Sequence, residues 1–365
     1  MVTDSFNKCM VYLGTYTQGK SEGIYSFSFD NVTGNTGPVE LAAKLKTPSY
    51  IAISRNNQFL YSIMEIGSDS CKENMDGAVC AFSIDRKTGR LKLMNYHPTN
   101  SKVPSHVNVD RSNKYLFAAN YKQGLVSVFS LNTDGSIDSL LSTIQHRGMS
   151  VNPDRQNAPH AHYVTLTPDE QYLCAVDLGI DKIVAYSFSG ADGSMSPAQS
   201  LTTGINPGSG PRHMEFHPNN RFAYLINELS SDVVALEYSA EDARFTQLQY
   251  ISALPAGYSG VSSGAAIHVS PDGNFLYTSN RGHNSIAAFK IDKFSGKLEF
   301  VSHTPTMGDF PRDFAIDPTG KFMIVANQNS SNAATYAINK ESGELEQIGL
   351  ISDIPNAICV KFTCL

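Results

Sequence analysis

Residues 210–228, "GPRHMEFHPNNRFAYLINE", determine how the rest of the chain is interpreted. Apolar and polar residues alternate on both sides of a Pro-Asn-Asn segment, which predicts two antiparallel strands joined by a tight polar turn. The first strand begins at Arg212 and the second ends at Glu228, so opposite charges stand at the open end of this hairpin. The two positions are symmetric about the turn and therefore face each other across an antiparallel pair. We expect an ion pair between them.

The same hairpin occurs five more times along the chain. The copies are "PSYIAISRNNQFLYSIME" (48–65), "PSHVNVDRSNKYLFAANY" (104–121), "PHAHYVTLTPDEQYLCAVDL" (159–178), "GAAIHVSPDGNFLYTSNR" (264–281) and "PRDFAIDPTGKFMIVANQ" (311–328). An alternating strand, a glycine-containing turn and a weaker fourth strand follow each copy. The spacing of about 45–55 residues is that of propeller blades. No segment shows a convincing helical period, so we expect a nearly all-β protein.

Two fragments remain outside the six repeats. The beginning of the chain has three further strands ("MVYLGTYT", "GIYSFSFDN", "PVELAAKLK"), and its end has one ("PNAICVKFT"). Together they complete a seventh unit, which would close the circle and leave no free sheet edge. The sequence therefore predicts a seven-bladed β-propeller with four antiparallel strands per blade. We expect one domain over residues 1–365, its last blade closed by the N- and C-terminal strands.

Composition restricts the possible partners. Apolar residues make up 41% of the chain and charged residues 17%, as in globular proteins. The net charge of −6 without any basic run argues against binding to nucleic acid or to a membrane surface. No signal-like or membrane-spanning segment is recognisable, so we expect a cytoplasmic protein, and nothing in the sequence indicates its oligomeric state. The cysteines lack paired spacing, which favours free thiols over a disulfide framework or a zinc site. They are Cys9, Cys71, Cys80, Cys174, Cys359 and Cys364.

The repeat register selects one rim of the propeller. Six residues before each turn, at the start of the first strand, stand Ser49, Ser105, His162, Arg212, Ala265, Arg312 and, in the closing blade, Asn356. Ten residues after it, at the end of the second strand, stand Glu65, Tyr121, Leu178, Glu228, Arg281, Gln328 and, by alignment, Tyr16. The longer connections 67–77, 146–158 and 252–263 return to the same rim. Long loops on one face of a repeat protein indicate its binding face.

Cationic side chains concentrate at this rim in an otherwise acidic protein. Arg281, Arg312, His106, His162 and His213 are expected near the Arg212–Glu228 pair, a pattern typical of a site for an anionic ligand. A structural salt bridge is the simpler alternative for that pair.

The pair His160 and His162 has the strand spacing of two metal ligands. No third ligand is evident near them in the sequence, so no metal and no organic cofactor is predicted.

The chain also resembles a known family, the seven-bladed lactonase propellers, which include bacterial 6-phosphogluconolactonases and fungal carboxymuconate cyclases. The resemblance rests on "LGTYTQGKSEGIY", "VPSHVNVD", "SVNPDRQNAPHAH", "GSGPRHMEFHP", "INELSS", "SNRGHNSIAAF" and "FPRDFAIDPTG", which stand in the family's order. It implies four catalytic residues: His162, Arg212, Glu228 and Arg281. We add five neighbours on the same rim as expected substrate contacts: His106, His160, His213, Arg312 and Gln328.

The resemblance implies hydrolysis of an anionic sugar lactone, with 6-phosphogluconolactone as the first choice. Glu228 or His162 would supply base and acid, Arg212 or Arg281 would face the oxyanion, and Arg312 would hold a phosphate or carboxylate. Two alternatives stay open at this point. One is a lactone-forming cycloisomerase of the carboxymuconate type that uses the same groups. The other is a propeller without catalytic activity that binds partners on this rim.

Overall fold

Seven antiparallel sheets, arranged as the blades of a propeller, make up the protein. The computed structural model describes residues 8–66, 77–102 and 104–364, which form 29 strands and two short 3₁₀ turns. Hydrogen-bonded neighbours within each sheet are almost always consecutive strands, so each repeat of the sequence folds into one sheet. The predicted architecture of seven blades with four antiparallel strands each is confirmed.

The closing blade is assembled from both ends of the chain. It contains β1 (Lys8–Thr15), β2 (Gly23–Asp30), β3 (Glu40–Lys44) and β29 (Ala357–Cys364). The last strand, β29, pairs antiparallel with β1 and stands at the inner end of the sheet. The predicted closure is therefore correct in both composition and strand order.

The other six sheets follow in chain order. The second and third contain β4 (Ile51–Ile53), β5 (Phe59–Glu65), β6 (Gly77–Ile84), β7 (Leu91–Pro98), and β8 (His106–Val109), β9 (Tyr115–Asn120), β10 (Leu125–Leu131), β11 (Ile137–Gln145). The fourth and fifth contain β12 (Ala161–Leu166), β13 (Tyr172–Asp177), β14 (Lys182–Phe188), β15 (Met195–Pro197), β16 (Thr203–Gly204), and β17 (Pro211–Phe216), β18 (Phe222–Asn227), β19 (Asp232–Ser239), β20 (Arg244–Ser252). The last two contain β21 (Ser263–Val269), β22 (Phe275–Arg281), β23 (Ser285–Ile291), β24 (Leu298–Pro305), and β25 (Pro311–Ile316), β26 (Phe322–Asn327), β27 (Asn332–Ile338), β28 (Leu345–Ile351). The 3₁₀ turns are Tyr121–Gln123 and Leu178–Ile180.

The fourth sheet departs from the regular pattern. Its outer strand is divided into β15 and β16, which both pair with β14. Between them the chain turns back at Ala198, whose carbonyl accepts from the backbone N–H of Leu201 and Thr202. Leu201 is fully buried, so the turn places an apolar side chain in the core where a straight strand would not.

Aromatic residues of the second strands join neighbouring blades. The Tyr61 hydroxyl donates to the carbonyl of Gly135, and Tyr224 makes the same bond to Gly296 in the next blade. Both glycines have positive φ, 86° and 70°. A Cβ atom at Gly296 would lie 2.5 Å from the Phe222 ring. The glycine in this turn therefore provides both the backbone conformation and the room for the aromatic residue of the preceding blade.

Among the described residues, no helix is long and apolar enough to cross a lipid bilayer.

Candidate active site

A cavity of about 600 Å³ opens at one end of the propeller channel. Its walls come mainly from the two rim positions that the repeat register selects. Ser49, Ser105, His162, Arg212 and Arg312 line it from the first strands, and Tyr16, Glu65, Tyr121, Glu228 and Arg281 from the second strands. The predicted rim is therefore the location of a real cavity.

A β-bulge at the start of the first strand directs side chains into this cavity. In the fifth sheet Pro211 pairs with Asn227 and His213 with Ile226, which leaves Arg212 as an extra residue. The same shift isolates His162 in the fourth sheet and Arg312 in the seventh. A bulge adds one residue to a strand and reorients its side chain. The symmetric register predicted that Arg212 and Glu228 are directly opposed in the ladder, and this is wrong because Arg212 is the extra residue. They nevertheless form the expected ion pair.

In the closing blade the residue that faces the cavity stands two positions after Asn356, the rim position that the register predicted. Gly14 pairs with Cys359 and Thr15 with Ala357, so Ile358 is the extra residue and lines the cavity. Asn356, the predicted counterpart, lies before the strand and donates its side-chain amide to the carbonyl of Gln18. The prediction was wrong here because β29 and β1 come from opposite ends of the chain, so no turn joins them from which the register could be counted.

Glu228 is the centre of the charged cluster. Its Oε2 lies 3.1 Å from Arg212 Nε and 2.9 Å from Arg281 Nη2, and its Oε1 lies 2.5 Å from Arg155 Nη2. Arg212 also donates to the carbonyl of Ala265 at 2.6 Å, and Arg281 to that of Gly264 at 2.8 Å. The carboxylate and the backbone carbonyls thus fix two buried guanidiniums in place.

These contacts determine the protonation states. Burial alone would raise the pKa of Glu228, but the neighbouring Arg281 and Arg212 outweigh it and hold that pKa well below its usual range. Burial and the like charges of Arg281 and Arg312 lower the pKa of Arg212 to about 9. At neutral pH both members of the pair are charged.

His162 is a buried neutral imidazole on the cavity wall. Burial, assisted by the charge of Arg212, lowers its pKa well below the usual histidine value, so it is unprotonated at neutral pH. Its Nδ1 atom is buried and has no hydrogen-bond partner within the described residues. The ring stands edge-on to Tyr121, with centroids 5.5 Å apart. This nitrogen has almost no exposed surface, so it faces the wall and not the cavity.

The other predicted contacts divide into two groups. His213 and Arg312 line the cavity, and Arg312 lies over the ring of Tyr16 at 5.3 Å. His106, His160 and Gln328 are not among the lining residues. His106 is packed between Tyr50 and Tyr163, below the cavity floor.

Neither His160 nor Gln328 lines the cavity, and each makes other contacts. The His160 ring stacks on Tyr121, and its Nδ1 contacts the carbonyl of Tyr121 at 3.0 Å. Because β12 begins at Ala161, His160 lies outside the strand and does not form a facing pair with His162. The backbone N–H of Gln328 donates to the carbonyl of Phe310, which keeps this residue at the rim. Within the described ranges, no three His, Cys, Asp or Glu side chains come together as a group suited to a metal ion.

Arg155 is a member of the cluster that the sequence analysis did not identify. It belongs to the connection 146–158, which was recognised as a rim insertion but has no counterpart in the other repeats. Register counting cannot place a residue of an insertion. The available signal was an arginine within a rim loop next to a predicted anion site.

A second polar network lies deeper in the channel and was also missed. Glu215 Oε2 is 2.7 Å from His268 Nδ1, and His268 Nε2 is 3.6 Å from Asp313 Oδ1. Lys361 Nζ lies 3.8 Å from Asp313 Oδ2 and 3.2 Å from the Tyr50 hydroxyl. The charges alternate in sign, and the five residues belong to five neighbouring blades. This network joins the last strand to the rest of the circle.

Comparison with known proteins agrees with this geometry. The family described as "Lactonase, 7-bladed beta-propeller" matches residues 10–362. The 6-phosphogluconolactonase of Bacillus subtilis strain 168 is 43% identical to this chain over 310 residues, which cover 85% of each protein.

Solved structures give the same result. The periplasmic gluconolactonase PpgL of Pseudomonas aeruginosa superposes with a TM-score of 0.90 at 33% identity, covering 97% of this chain and 99% of its own. A Lactobacillus plantarum protein gives a TM-score of 0.89 at 35% identity, covering 98% of this chain and 99% of its own. With its seven blades, its cationic cavity and these relatives, the chain belongs to the family of seven-bladed β-propeller lactonases.

Proposed function

We propose that this protein is a lactonase that hydrolyses an anionic sugar lactone, with 6-phosphogluconolactone as its substrate. The observation that carries the proposal is the charge of the cavity, whose lining among the described residues has five cationic side chains and two carboxylates, Glu65 and Glu228. A cavity of this charge in an acidic protein favours a multiply charged anion. The relative of 43% identity bears the name of this activity.

In this proposal His162 is the general base. Ester hydrolysis needs a group that takes a proton from the attacking water. A neutral imidazole on the cavity wall meets this requirement at neutral pH. A carboxylate whose pKa is held low is a weaker base, so we assign Glu228 to the positioning of the arginines.

The arginines then divide into two roles. Arg281 lines the cavity, so its guanidinium can stabilise an oxyanion there. Arg212, fixed by Glu228 and Ala265, stands beside it. Arg312 stacks on Tyr16 and has no ion pair among the described residues, which suits it to hold the remote phosphate. The leaving alkoxide takes back the proton that His162 accepted.

A substrate panel tests this assignment. Purified protein is incubated with 6-phosphogluconolactone, with the same lactone lacking phosphate, and with carboxymuconate, and hydrolysis is followed by proton release against a no-protein blank. We expect turnover of the phosphorylated lactone above the blank, unchanged by a metal chelator. Conversion of carboxymuconate to its lactone instead would identify the cycloisomerase, and binding without turnover would identify the non-catalytic alternative.

The proposed location is the cytoplasm. Support comes from the cysteines, since the five in the described residues are all free thiols. The relative PpgL bears the name of a periplasmic protein, so the location of this chain needs its own measurement. Cell fractionation that finds the protein outside the cytoplasm would contradict this part of the proposal.

A further inference from the structure

Arg155 differs from the two other guanidiniums on Glu228 in how firmly it is held. Its side chain is 42% exposed, whereas those of Arg212 and Arg281 are 3% and 6% exposed. The buried two each donate to a backbone carbonyl. Among the described residues, the Arg155 guanidinium contacts Glu228 and, at 3.5 Å, the Tyr121 hydroxyl. It is the most exposed of the three guanidiniums, and if it leaves Glu228, the carboxylate keeps Arg212 and Arg281 on its Oε2 atom.

The backbone beneath Arg155 is fixed, so the side chain alone is free to change partner. Gln156, next in sequence, is fully buried, and its side-chain amide donates to the carbonyl of Leu178. The Ser150 hydroxyl donates to Asp181, whose carboxylate also accepts from the backbone N–H of Gly210 just before β17. The loop is thus tied to the strand that carries Arg212. Arg155 stands at a constant place on the cavity wall.

We propose that Arg155 exchanges Glu228 for the phosphate of the bound lactone, which it holds together with Arg312, and so strengthens the preference for phosphorylated substrates. This inference rests on the proposed function. A phosphate monoester carries close to two negative charges and accepts a guanidinium fork in bidentate geometry, whereas Arg155 reaches a single oxygen of Glu228. Lys122 lines the same cavity and is exposed, so it adds a second positive charge to this wall.

The test compares 6-phosphogluconolactone with the same lactone lacking phosphate in Arg155→Gln. We expect kcat/KM for the phosphorylated lactone to fall about 10–100-fold, mainly through KM, as for the loss of charged hydrogen bonds. The other lactone should change less than about twofold, because its hydrolysis does not use this contact. Arg147→Gln, an exposed arginine of the same loop, is the matched control. Equal losses on both lactones, or none on either, would overturn the inference.

A binding measurement separates this inference from the proposed function. Calorimetry with 6-phosphogluconate and gluconate requires no turnover. We expect the wild type to bind 6-phosphogluconate at least about tenfold more tightly, and Arg155→Gln to lose that preference. If neither lactone is hydrolysed, the proposed function fails, and the calorimetry still decides the role of Arg155. Equal phosphate preference in wild type and variant refutes it.

A separate observation concerns the two cysteines that meet where the propeller closes. Cys9 of β1 is the direct partner of Cys364 of β29 in the strand ladder, and their sulfur atoms lie 3.2 Å apart. Directly opposed residues of antiparallel strands have Cα atoms about 4.5–5.5 Å apart, which is within the range that a disulfide spans. Cys9 is buried, whereas Cys364 is half-buried and reachable by a small oxidant.

We infer that Cys9 and Cys364 are a site of oxidative modification, where peroxide forms a disulfide that locks the first strand to the last. The Cys364 thiolate attacks one peroxide oxygen, which gives a sulfenic acid and, after protonation of the leaving hydroxide, water. The Cys9 sulfur then attacks the Cys364 sulfur and displaces the hydroxyl, which leaves as a second water with the thiol proton. Two thiols are oxidised, one peroxide is reduced, and two waters form. The contact with Cys9 lowers the pKa of Cys364 to about 7, which favours the attacking thiolate.

The closed loop would contain nearly the whole chain, so the bond should strongly restrict the unfolded state. After mild treatment with hydrogen peroxide we expect loss of two thiols, a Cys9–Cys364 cross-linked peptide in mass spectrometry, and a Tm higher by about 5–10 °C. Dithiothreitol should reverse all three changes. Cys364→Ser and Cys9→Ser should show none of them, whereas Cys80→Ala, at a buried cysteine of β6, should retain them. Oxidation to sulfinic acid without a cross-link, or an unchanged Tm, would overturn the inference.

Discussion

At the scale of single residues, Glu228 and His162 have different roles, although either type of side chain can act as a general base. Glu228 is a buried carboxylate in contact with three guanidiniums, and its pKa is low. His162 is a buried imidazole that its surroundings keep neutral. A neutral imidazole on the cavity wall can accept a proton, whereas a carboxylate engaged in three ion pairs is better suited to hold its partners in place.

Replacing Glu228 by Gln tests this division. The amide keeps the shape but removes the charge, which leaves Arg212 and Arg281 buried without compensation. We expect a rate loss of roughly 10²-fold on the lactone, as for misplaced catalytic groups, and destabilisation of about 3–5 kcal/mol, the usual cost of breaking a buried pair. Steady-state kinetics and chemical denaturation measure the two effects. If Glu228 contributed only a rim salt bridge, both would be near wild type.

The pH dependence of the rate tests His162. Burial disfavours the imidazolium, so the pKa that limits kcat/KM on the acidic side should lie well below the usual value of about 6.5. We expect kcat/KM to be constant from pH 8 down past 6.5 and to fall only at lower pH. His162→Asn should reduce the rate by roughly 10²–10⁴-fold and abolish this limb. A limb at or above pH 6.5 in the wild type would show that another group is the base.

Two arginine substitutions separate transition-state from ground-state binding. Arg281→Lys keeps the charge but loses the fork, so we expect a fall in kcat if this guanidinium faces the oxyanion. Arg312→Ala should chiefly raise KM, because a remote phosphate is held equally in the ground and transition states. Kinetics of both variants on the same lactone, with melting curves as a check of folding, distinguish these roles. The reverse pattern would exchange the two assignments.

Sequence reasoning located much of this site because the residues that form it occupy repeated positions. Arg212, Glu228 and Arg281 could be found by counting from a turn, since every blade has the same hairpin. Arg155 could not, because the insertion that carries it occurs once. The pKa of His162 depends on burial and on Arg212, which only the assembled cavity defines.

At the scale of elements, the first strand of each blade is the part that differs most from its prediction. Strict alternation predicts one register, but a bulge at His162, Arg212 and Arg312 adds a residue to these strands. The bulge leaves the hydrophobic alternation beyond it intact, so the pattern of the sequence does not reveal it. The four-strand order, by contrast, follows directly from the repeats and was predicted, except for the divided outer strand of the fourth sheet.

The last strand, β29, is the element whose loss should matter most. It contributes Cys359 and Val360 to the core, and Lys361 to the polar network of the channel. Deleting residues 355–365 would expose the edge of β1 and remove these contacts. We expect aggregation or loss of cooperative melting rather than a mild effect. A truncated protein that stays in solution and melts like the full chain would show that the closing strand is dispensable.

At the scale of the whole molecule, four histidines from four neighbouring blades lie along the channel. The sequence analysis expected His106, His162 and His213 together, but a single repeat gives no sign that His268 meets acidic partners from other blades. His106, His162 and His213 are buried with their pKa values well below 6.5, and burial is the main cause in each case. His268 behaves in the opposite way. Burial alone would lower its pKa, but Glu215 and Asp313 outweigh it and raise that pKa to about 9.

These opposite shifts predict a maximum of stability near pH 6.5. Below the unfolded histidine pKa of about 6.5, these three histidines bind protons in the unfolded chain but stay neutral in the folded protein. The free energy of unfolding therefore falls as the pH drops. Above it, His268 stays protonated only in the folded state, and its contribution is lost as the pH rises from 6.5 through about 9.

Melting temperatures between pH 5 and 9.5 at constant ionic strength measure both limbs. His268→Gln should lower the maximum and flatten the alkaline limb but leave the acidic limb in place. A wild-type Tm that stays constant between pH 5 and 6.5 would show that the three imidazoles titrate alike in the folded and unfolded chain.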